Sequence, residues 1–315
     1  MVKTLYVFNT GIQNIHPVCE KENLHMLDVI IIGKGPAGIS AALYTIRANL
    51  NTLVIGNGIG ALDKAERIEN YFGLTQTLSG KDLAATGENQ IRKLGGTIVI
   101  DEVVGIDYLG HFVVTTLLGK YEAKSILIAT GSPVIRVPVK GLQKFEGLGV
   151  SYCTTCDGFF HRKKSVGVIG YNDYGVHEAE ELKAFTDDVT FFTIGKALEI
   201  SNESKTKLSE MKVVETPIAE LYGEEVLGGV ALEDGTRIDL SGLFIAYGSA
   251  SGATFALKMG IDMDGQSIKV NDHMATNIPG LFAAGDVIGG FKQVSVAVGQ
   301  GAVAGRYMIE FIRKG

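Results

Sequence analysis

Two cysteines, Cys153 and Cys156, stand three positions apart in the run Cys-Thr-Thr-Cys and are followed at once by Asp157. Cysteines at this spacing can close a small, readily reduced disulfide, and an adjacent carboxyl can carry the proton that a leaving thiolate needs. A zinc site is the alternative, but it needs two further cysteine or histidine ligands. The sequence offers only Cys19 and scattered histidines, with His161 nearest, and no second Cys-x-x-Cys. We therefore predict a redox-active pair with Asp157 as acid/base, no metal site, and an inert Cys19.

A glycine-rich turn follows the first strongly apolar segment. Residues 27–32, Leu-Asp-Val-Ile-Ile-Ile, predict a buried parallel strand, and Ile39 to Arg47 predicts a helix. A second strand is predicted at 52–55. Between strand and helix, Gly33 permits a tight turn, Gly35 lets the backbone approach a pyrophosphate, and Gly38 allows close helix–strand packing. Pro36 and Ala37 complete the turn, and the helix start supplies N–H groups to phosphates. The unit predicts a dinucleotide-binding site over residues 33–38.

One part of this fingerprint is missing. An acid normally ends the second strand and binds the ribose hydroxyls, but here Gly56 and then Asn57 stand in its place. We expect the Asn57 side chain or the local backbone to bind the ribose instead.

A second glycine motif lies near the other end of the chain. The run Phe282-Ala-Ala-Gly285-Asp286 follows an apolar stretch and precedes a helix predicted from about Ser295 to Ile312. The positive end of that helix, just after Lys292, Gln293 and Val294, favours a ligand that gains negative charge.

The strand–turn–helix theme occurs twice along the chain. A helix is predicted at 83–94, and strands at 97–100, 111–117 and 125–129, the last ending in Ala129-Thr130-Gly131. The theme then restarts with a strand at 165–169, a helix at 175–184, a strand at 189–193, a hairpin around 233–235 and a strand at 243–246. We predict an α/β fold of two Rossmann-like, three-layer domains, the second inserted into the first. The first domain would span 27–131 and 252–315, the second 132–251, and residues 1–26 form an extension without an assigned role.

Composition limits the partners. The chain has 315 residues, a formal charge of -6 and three cysteines. The negative charge argues against nucleic acid as the main partner, and no apolar run reaches the roughly 18 residues of a membrane-spanning helix. The extension lacks the features of a secretory signal, and Met26, directly before the first strand, would mark an alternative start of the functional protein. The sparse cysteines favour a cytoplasmic protein.

From about Leu27 to its C-terminus the chain resembles the low-molecular-weight thioredoxin reductases. Five motifs carry the resemblance, in the family's order: Gly33-Lys-Gly-Pro-Ala-Gly38, Ile68-Glu-Asn-Tyr71, Ala129-Thr-Gly131, Cys153-Thr-Thr-Cys-Asp-Gly-Phe-Phe160 and Phe282-Ala-Ala-Gly-Asp286. The resemblance implies bound FAD, a homodimer, thioredoxin as partner, and rotation of one domain against the other during turnover.

The same resemblance implies roles for individual residues. Cys156 would lie nearest the flavin, and Cys153 would exchange with the partner protein. Asn70 would lie near the flavin, and Asp286 against the ribityl–phosphate part of FAD. Thr130 and Gly131 would form the turn where the insertion begins.

The second domain departs from the family where NADPH would bind. Its fingerprint reads Gly170-Tyr171-Asn172-Asp173-Tyr174-Gly175, with Asn172 in place of the middle glycine. The expected arginine cluster for the 2′-phosphate is replaced by Thr193-Ile-Gly-Lys-Ala-Leu198, which holds one cation. We therefore expect NADPH not to serve as the electron donor.

The chain also resembles the subgroup of these reductases that take electrons from reduced ferredoxin. Ferredoxins are acidic, so Arg162-Lys163-Lys164 and the pair Lys140 and Lys144 are candidate docking residues, with plain solvated loops as the alternative. Three other functions stay open: an NADPH-dependent thioredoxin reductase, a disulfide-forming oxidase that uses oxygen, and a non-catalytic FAD-binding redox sensor.

Overall fold

The computed structural model describes residues 26–131, 137–249 and 251–314. The predictions for the extension before Met26, including Cys19, lie outside these residues. The helices are α1 (Pro36–Arg47), α2 (Gly80–Lys93), α3 (Thr154–Asp157), α4 (Asp173–Leu182), α5 (Asn202–Leu208), α6 (Gly252–Met259) and α7 (Val294–Lys314). The strands are β1 (Leu27–Ile32), β2 (Thr52–Ile55), β3 (Thr97–Val99), β4 (Val103–Tyr108), β5 (Phe112–Thr116), β6 (Lys120–Ile128), β7 (Val150–Ser151), β8 (Val166–Ile169), β9 (Val189–Phe192), β10 (Lys212–Val214), β11 (Ile218–Tyr222), β12 (Gly229–Leu232), β13 (Arg237–Asp239), β14 (Gly242–Ile245), β15 (Met263–Asp264), β16 (Ser267–Ile268) and β17 (Leu281–Ala283).

The first domain is built on a seven-stranded sheet drawn from both ends of the chain. Its order is β3-β2-β1-β6-β5-β4, and β17 also pairs with β6. Strands β3, β2, β1, β6 and β17 are parallel, whereas β5 and β4 are antiparallel additions. Because β17 comes from the C-terminal segment, the predicted insertion of one domain into the other is confirmed.

The second domain is built on a five-stranded parallel sheet with the order β10-β9-β8-β14-β7. A three-stranded antiparallel sheet, β11-β12-β13, contains the predicted hairpin at 233–235. Both domains therefore contain the βαβ unit of a nucleotide-binding fold, β1-α1-β2 and β8-α4-β9, as predicted. The exact domain bounds stay a prediction.

In the first domain the patterning misses α6, β4, β15 and β16 and misplaces the start of α2. Strand β4 is not predicted, because Gly105 interrupts its apolar run; antiparallel pairing with β5 supplies the hydrogen bonds that make it a strand. The helix predicted from residue 83 begins at Gly80. Ser79 caps it, and the Ser79 hydroxyl accepts a hydrogen bond from the Asp82 N–H at 3.1 Å.

The two domains share one continuous hydrophobic core. Ile106 and Phe112 of the first sheet belong to the same buried cluster as Val166, Tyr174 and Phe244 of the second domain. Separating the domains from this arrangement exposes apolar surface, so the arrangement is favoured by burial. None of the helices in the described ranges combines the length and the hydropathy of a membrane span.

Candidate active site

The predicted dinucleotide residues meet at one edge of the first sheet. Parallel strands β1, β6 and β17 are neighbours, with Ile32 opposite Ile128 and Ile128 opposite Ala283. Their carboxyl ends therefore lie side by side, and ligands of open α/β sheets bind at such an edge. The residues that follow these three strands form this group: Gly33, Gly35, Pro36, Ala37, Gly38, Ala129, Thr130, Gly131, Gly285 and Asp286.

Each fingerprint glycine has a distinct environment. A Cβ on Gly33 would lie 2.2 Å from the Ala129 carbonyl oxygen, and one on Gly38 would lie 1.9 Å from the Gly33 carbonyl oxygen. A Cβ on Gly35 would meet no protein atom within 4 Å. Gly33 and Gly38 are thus required by the packing of the turn, whereas Gly35 faces open space at the start of α1. This arrangement fits a pyrophosphate approaching the backbone at Gly35.

Two further observations support a polar ligand at this edge. The Thr130 hydroxyl is buried and has no hydrogen-bond partner among the described residues. The Asn70 side-chain amide donates to Gln293 Oε1 at 2.9 Å, which joins the Ile68–Tyr71 motif to the residues just before α7. A buried hydroxyl without a partner costs free energy, and a bound ligand removes that cost.

The remaining predicted residues surround the same edge. Val294 is the first residue of α7, Lys292 is exposed before it, and the Gly285 N–H donates to Gln300 Oε1 of α7 at 2.9 Å. Gly56 and the exposed Asn57 follow β2, and a Cβ on Gly56 would lie 3.1 Å from the Lys34 backbone nitrogen. Together these residues fit FAD, which would be held by the turn at 33–38, by Thr130 and by the start of α7. Their individual contacts with FAD stay a prediction. When bound, FAD accepts electrons singly or in pairs and delivers them to a disulfide.

A buried ion pair stabilises the glycine turn. Lys34 Nζ lies 2.7 Å from Glu88 Oε1 of α2, with only 9% and 15% of the two side chains exposed. Burial alone raises the pKa of Glu88, but the hydrogen bond and charge of Lys34, together with Arg92, hold it below its usual value of 4.5. A carboxyl with a lowered pKa stabilises the fold above its unfolded pKa, and that contribution is lost as the pH falls through the folded-state pKa.

Glu88→Gln is expected to lower the melting temperature of the holoenzyme at pH 7 by about 5 °C, because it leaves the Lys34 charge buried and unpaired. The gap to the wild type should close as the pH falls below 4.5. Thermal unfolding at a series of pH values measures both effects. Glu203→Gln, in the exposed pair with Lys207, is the matched control and should change little. A gap that does not depend on pH would contradict this assignment.

The two cysteines form a disulfide at the start of α3. Cys153 and Cys156 are bonded, with their Cα atoms 5.3 Å apart. Cys153 caps α3, and its Sγ accepts a hydrogen bond from the Cys156 N–H at 3.1 Å. Such a bond favours the thiolate form of a sulfur. The pairing expected from the spacing is therefore present, and Cys153 has a donor that can stabilise charge after reduction.

Ser151, which the motif does not include, orients the acid beside the pair. Its hydroxyl donates to Asp157 Oδ2 at 2.6 Å, and its oxygen accepts from the Cys153 N–H at 3.0 Å. Asp157 is therefore tied to the backbone of Cys153 through one side chain. The sequence gives no signal for this role of Ser151. The contact between Ser151 and Asp157 depends on the path of the chain between β7 and α3, which the pattern Ser-x-Cys does not reveal.

Helix α6 connects the disulfide to the dinucleotide edge. The Cys156 Sγ is exposed and lies 3.9 Å from the Leu257 carbonyl oxygen of α6. At the start of the same helix, a Cβ on Gly252 would lie 3.0 Å from the Thr130 hydroxyl. Gly252 and Leu257 are five residues apart, or about 7.5 Å of helix. Cys156 is thus the member of the pair that faces the first domain, whereas Cys153 is only 3% exposed.

The fingerprint of the second domain keeps its packing but not its open helix start. Gly170 and Gly175 still contact each other, since a Cβ on Gly170 would lie 2.8 Å from the Gly175 Cα. Asn172 caps α4: its Oδ1 accepts from the Gly175 N–H at 3.2 Å, and its amide donates to the Gly248 carbonyl at 2.7 Å. Tyr171 packs edge-on against Tyr247. The crowding predicted at Asn172 is therefore accompanied by a side chain that already uses the helix N–H.

A shallow pocket of about 360 Å³ lies where the arginine cluster would stand. It is lined by residues 193 and 195–198 and by Glu215. Lys196 is the cation predicted there, and Glu215 adds a negative charge that the sequence motif does not reveal. A carboxylate beside the pocket opposes binding of a phosphate.

Comparison with known proteins agrees with this geometry. The family model of the pyridine nucleotide-disulphide oxidoreductases matches residues 27–301. The thioredoxin reductase of Aquifex aeolicus (strain VF5) is 35% identical over 301 residues, which cover 90% of this chain and 93% of that protein.

Solved structures are similar along nearly the whole chain. The atypical thioredoxin reductase TRi from Desulfovibrio vulgaris Hildenborough is 40% identical, with a TM-score of 0.89, over 92% of this chain and 99% of that one. A ferredoxin-flavin thioredoxin reductase from Clostridium acetobutylicum is 28% identical, with a TM-score of 0.71, over 92% of this chain and 100% of that one.

The family model extends from β1 into α7, and the Aquifex relative matches over most of its own length. This chain therefore belongs to the pyridine nucleotide-disulphide oxidoreductase family, as a member of its FAD-dependent thioredoxin reductases.

Proposed function

We propose that this protein reduces the disulfide of a thioredoxin with electrons from reduced ferredoxin rather than from NADPH. The observation that carries the proposal is the cap on α4, where the Asn172 side chain accepts from the Gly175 N–H and donates to the Gly248 carbonyl. A pyrophosphate at this helix start would compete with the Asn172 side chain for the Gly175 N–H. The similarity to the ferredoxin-flavin enzyme of Clostridium acetobutylicum supports the same donor.

The weak phosphate site strengthens this argument. Each charged hydrogen bond lost from a 2′-phosphate site removes about 1.5–3 kcal/mol, so the loss of two weakens binding by orders of magnitude. Lys196 is the one lysine or arginine among the residues lining the pocket at 193–198, and Glu215 lies beside it. Both parts of an NADPH site, the pyrophosphate turn and the 2′-phosphate cluster, are therefore altered together.

The reaction balances with two one-electron donors. Two reduced ferredoxins supply two electrons and two protons come from solvent, so the Cys153–Cys156 bond breaks and a dithiol forms. The Cys153 thiolate, stabilised by the Cys156 N–H, then attacks the thioredoxin disulfide to form a mixed disulfide. Cys156 attacks Cys153 Sγ, which restores the bond and releases the thioredoxin dithiol. Asp157, held by Ser151, carries the proton.

The basic cluster Arg162-Lys163-Lys164 is the better candidate for docking an acidic ferredoxin. All three residues are exposed and follow the cysteine motif. Of the other candidates, Lys140 is paired with Glu220 at 2.8 Å. A lysine already paired with an acid attracts an acidic partner less. Lys144 and Lys164 each donate to a backbone carbonyl, so those bonds do not distinguish the two clusters.

The donor is tested by following the flavin absorbance of the anaerobic holoenzyme after adding NADPH, NADH or reduced ferredoxin, and then thioredoxin. We expect ferredoxin to bleach the flavin at least about tenfold faster than either nicotinamide at equal concentration. Lys163→Glu should slow bleaching by ferredoxin at low ionic strength, and Lys140→Glu is its matched control.

The rival functions give different outcomes in the same experiment. Rapid bleaching by micromolar NADPH would identify an NADPH-dependent reductase. Reoxidation by air much faster than by thioredoxin would identify an oxidase. A reduced enzyme that passes electrons to no thioredoxin would be a redox sensor.

The resemblance and the composition support two further parts of the proposal. We infer a homodimer, which light scattering of the holoenzyme tests. The sparse cysteines support a cytoplasmic location, which fractionation of the source cells tests.

A further inference from the structure

Helices α4 and α6, one from each domain, are joined by a buried ion pair. Glu178 Oε1 of α4 lies 2.9 Å from Lys258 Nζ of α6. We call Glu178 and Lys258 the interdomain seam.

The seam is directly connected to the redox pair. Glu178 uses its second oxygen to accept a hydrogen bond from the Thr154 hydroxyl at 2.5 Å. Thr154 lies between the two cysteines in the motif. One carboxylate therefore links the cysteine helix α3, the second-domain helix α4 and the first-domain helix α6.

The seam is buried. Glu178 is 1% exposed, and Thr154, which donates to its second oxygen, is 2% exposed. The Lys258 side chain is 10% exposed. A buried charge that loses its partner is strongly disfavoured, whereas both charges are satisfied when the domains part and water enters. Parting the domains therefore breaks the Glu178–Lys258 pair, whereas Thr154 and Glu178 lie in the same domain and can stay bonded.

The arrangement held by the seam does not let a protein partner reach Cys153. Disulfide exchange requires direct contact between the attacking and attacked sulfurs, yet Cys153 is 3% exposed and Cys156 faces α6. The pair must leave α6 before it can react with thioredoxin. Turnover thus needs a second arrangement, in which the seam is broken.

We propose that Glu178 is a positioning residue that, through Thr154 and Lys258, sets the balance between these two arrangements. With the seam formed, the pair stays against α6 on the side of the dinucleotide edge. With the seam broken, the pair is released to the partner protein. This role does not depend on whether ferredoxin or NADPH supplies the electrons.

The test compares Lys258→Met, Glu178→Gln and the double variant as holoenzymes. Each single change leaves a group of the seam unpaired, so the closed arrangement is disfavoured. In the dithionite-reduced protein we expect Cys153 to be alkylated by iodoacetamide at least about tenfold faster, as measured by peptide mass spectrometry. In stopped-flow experiments the transfer of electrons from flavin to disulfide should be slower by a similar factor.

The double variant distinguishes positioning from simple damage. It has no unpaired charge, and the side-chain amide oxygen that Glu178→Gln introduces still accepts from Thr154, so both rates should return to within about threefold of the wild type. Lys183→Met, at the residue just after α4, is the matched control, because the partners of Lys183, Glu180 and Glu210, both lie in the second domain.

Several results would overturn the proposal. The first is a rate of Cys153 alkylation within twofold of the wild type in both single variants. The second is a change in Lys183→Met as large as that in the single variants. The third is a double variant whose two rates depart further from the wild type than those of either single variant. If Lys258→Met loses FAD, Glu178→Gln alone carries the test, since it leaves the Lys258 charge unpaired. Because dithionite replaces the natural donor, failure here is distinct from failure of the ferredoxin proposal.

Discussion

Replacing Cys156 with serine is expected to lower thioredoxin reduction by at least about a thousandfold while FAD stays bound. The substitution removes one sulfur of the disulfide, so no electron pair can be stored between the flavin and the partner. Cys156 is exposed, and among the described residues its sulfur has one hydrogen-bond partner beyond its own motif, the Leu257 carbonyl, so the fold should tolerate the change. Absorbance of the bound flavin and a thioredoxin-dependent turnover assay measure the two effects.

The two cysteine-to-serine variants should differ in whether they accumulate a mixed disulfide with thioredoxin. In Cys156→Ser the remaining Cys153 can attack a thioredoxin disulfide but has no neighbour to release it, so a mixed disulfide should accumulate on non-reducing gels. Cys153→Ser should form none. Cys19→Ser is the control and should leave turnover unchanged. A mixed disulfide with Cys153→Ser instead would reverse the roles assigned to the pair.

Gly35→Ala is expected to fold normally and to bind FAD about 10- to 100-fold more weakly. The new Cβ meets no protein atom within 4 Å, and the backbone of Gly35 (φ −81°) suits alanine. The methyl group instead occupies the space through which a pyrophosphate reaches the start of α1. Fluorescence titration with FAD measures the affinity, and thermal unfolding of the FAD-free and FAD-bound protein measures the fold.

Gly38→Ala provides the contrasting variant. Its Cβ would lie 1.9 Å from the Gly33 carbonyl oxygen, so the turn itself must move. We expect this variant to lose both FAD and thermal stability. Wild-type FAD affinity in Gly35→Ala would show that the pyrophosphate does not approach the turn at this point.

Local patterns predicted most of the fold because they report on neighbouring residues. The apolar run at 27–32 and its glycine turn identify β1 and α1, and the same theme identifies β8 and α4. Strand β4 escaped prediction because Gly105 weakens its pattern, and only pairing with β5, which joins Val103 to Thr116, makes it a strand. Register with a partner strand is a tertiary property.

The residues of the site likewise fall into those that the sequence predicted and those that only the tertiary structure revealed. The glycines of the turn at 33–38 and the cysteine pair have spacings that the chemistry itself requires, so their types and positions are enough to predict them. Glu178 and Lys258 are 80 residues apart and have no motif. A glutamate on an amphipathic helix usually indicates a solvated face, and nothing local distinguishes Glu178 from its neighbours.

The sequence alone therefore determined the two nucleotide folds, the dinucleotide turn and the redox pair, since each depends on residues within one turn or one strand–helix unit. Tertiary structure decided what surrounds them. It placed the cap of Asn172 on α4 against Gly248, Ser151 against Asp157, and the buried seam between α4 and α6. These contacts depend on which helices and loops the fold brings together, and hydrogen bonds across 6 to 80 residues cannot be read from spacing along the chain.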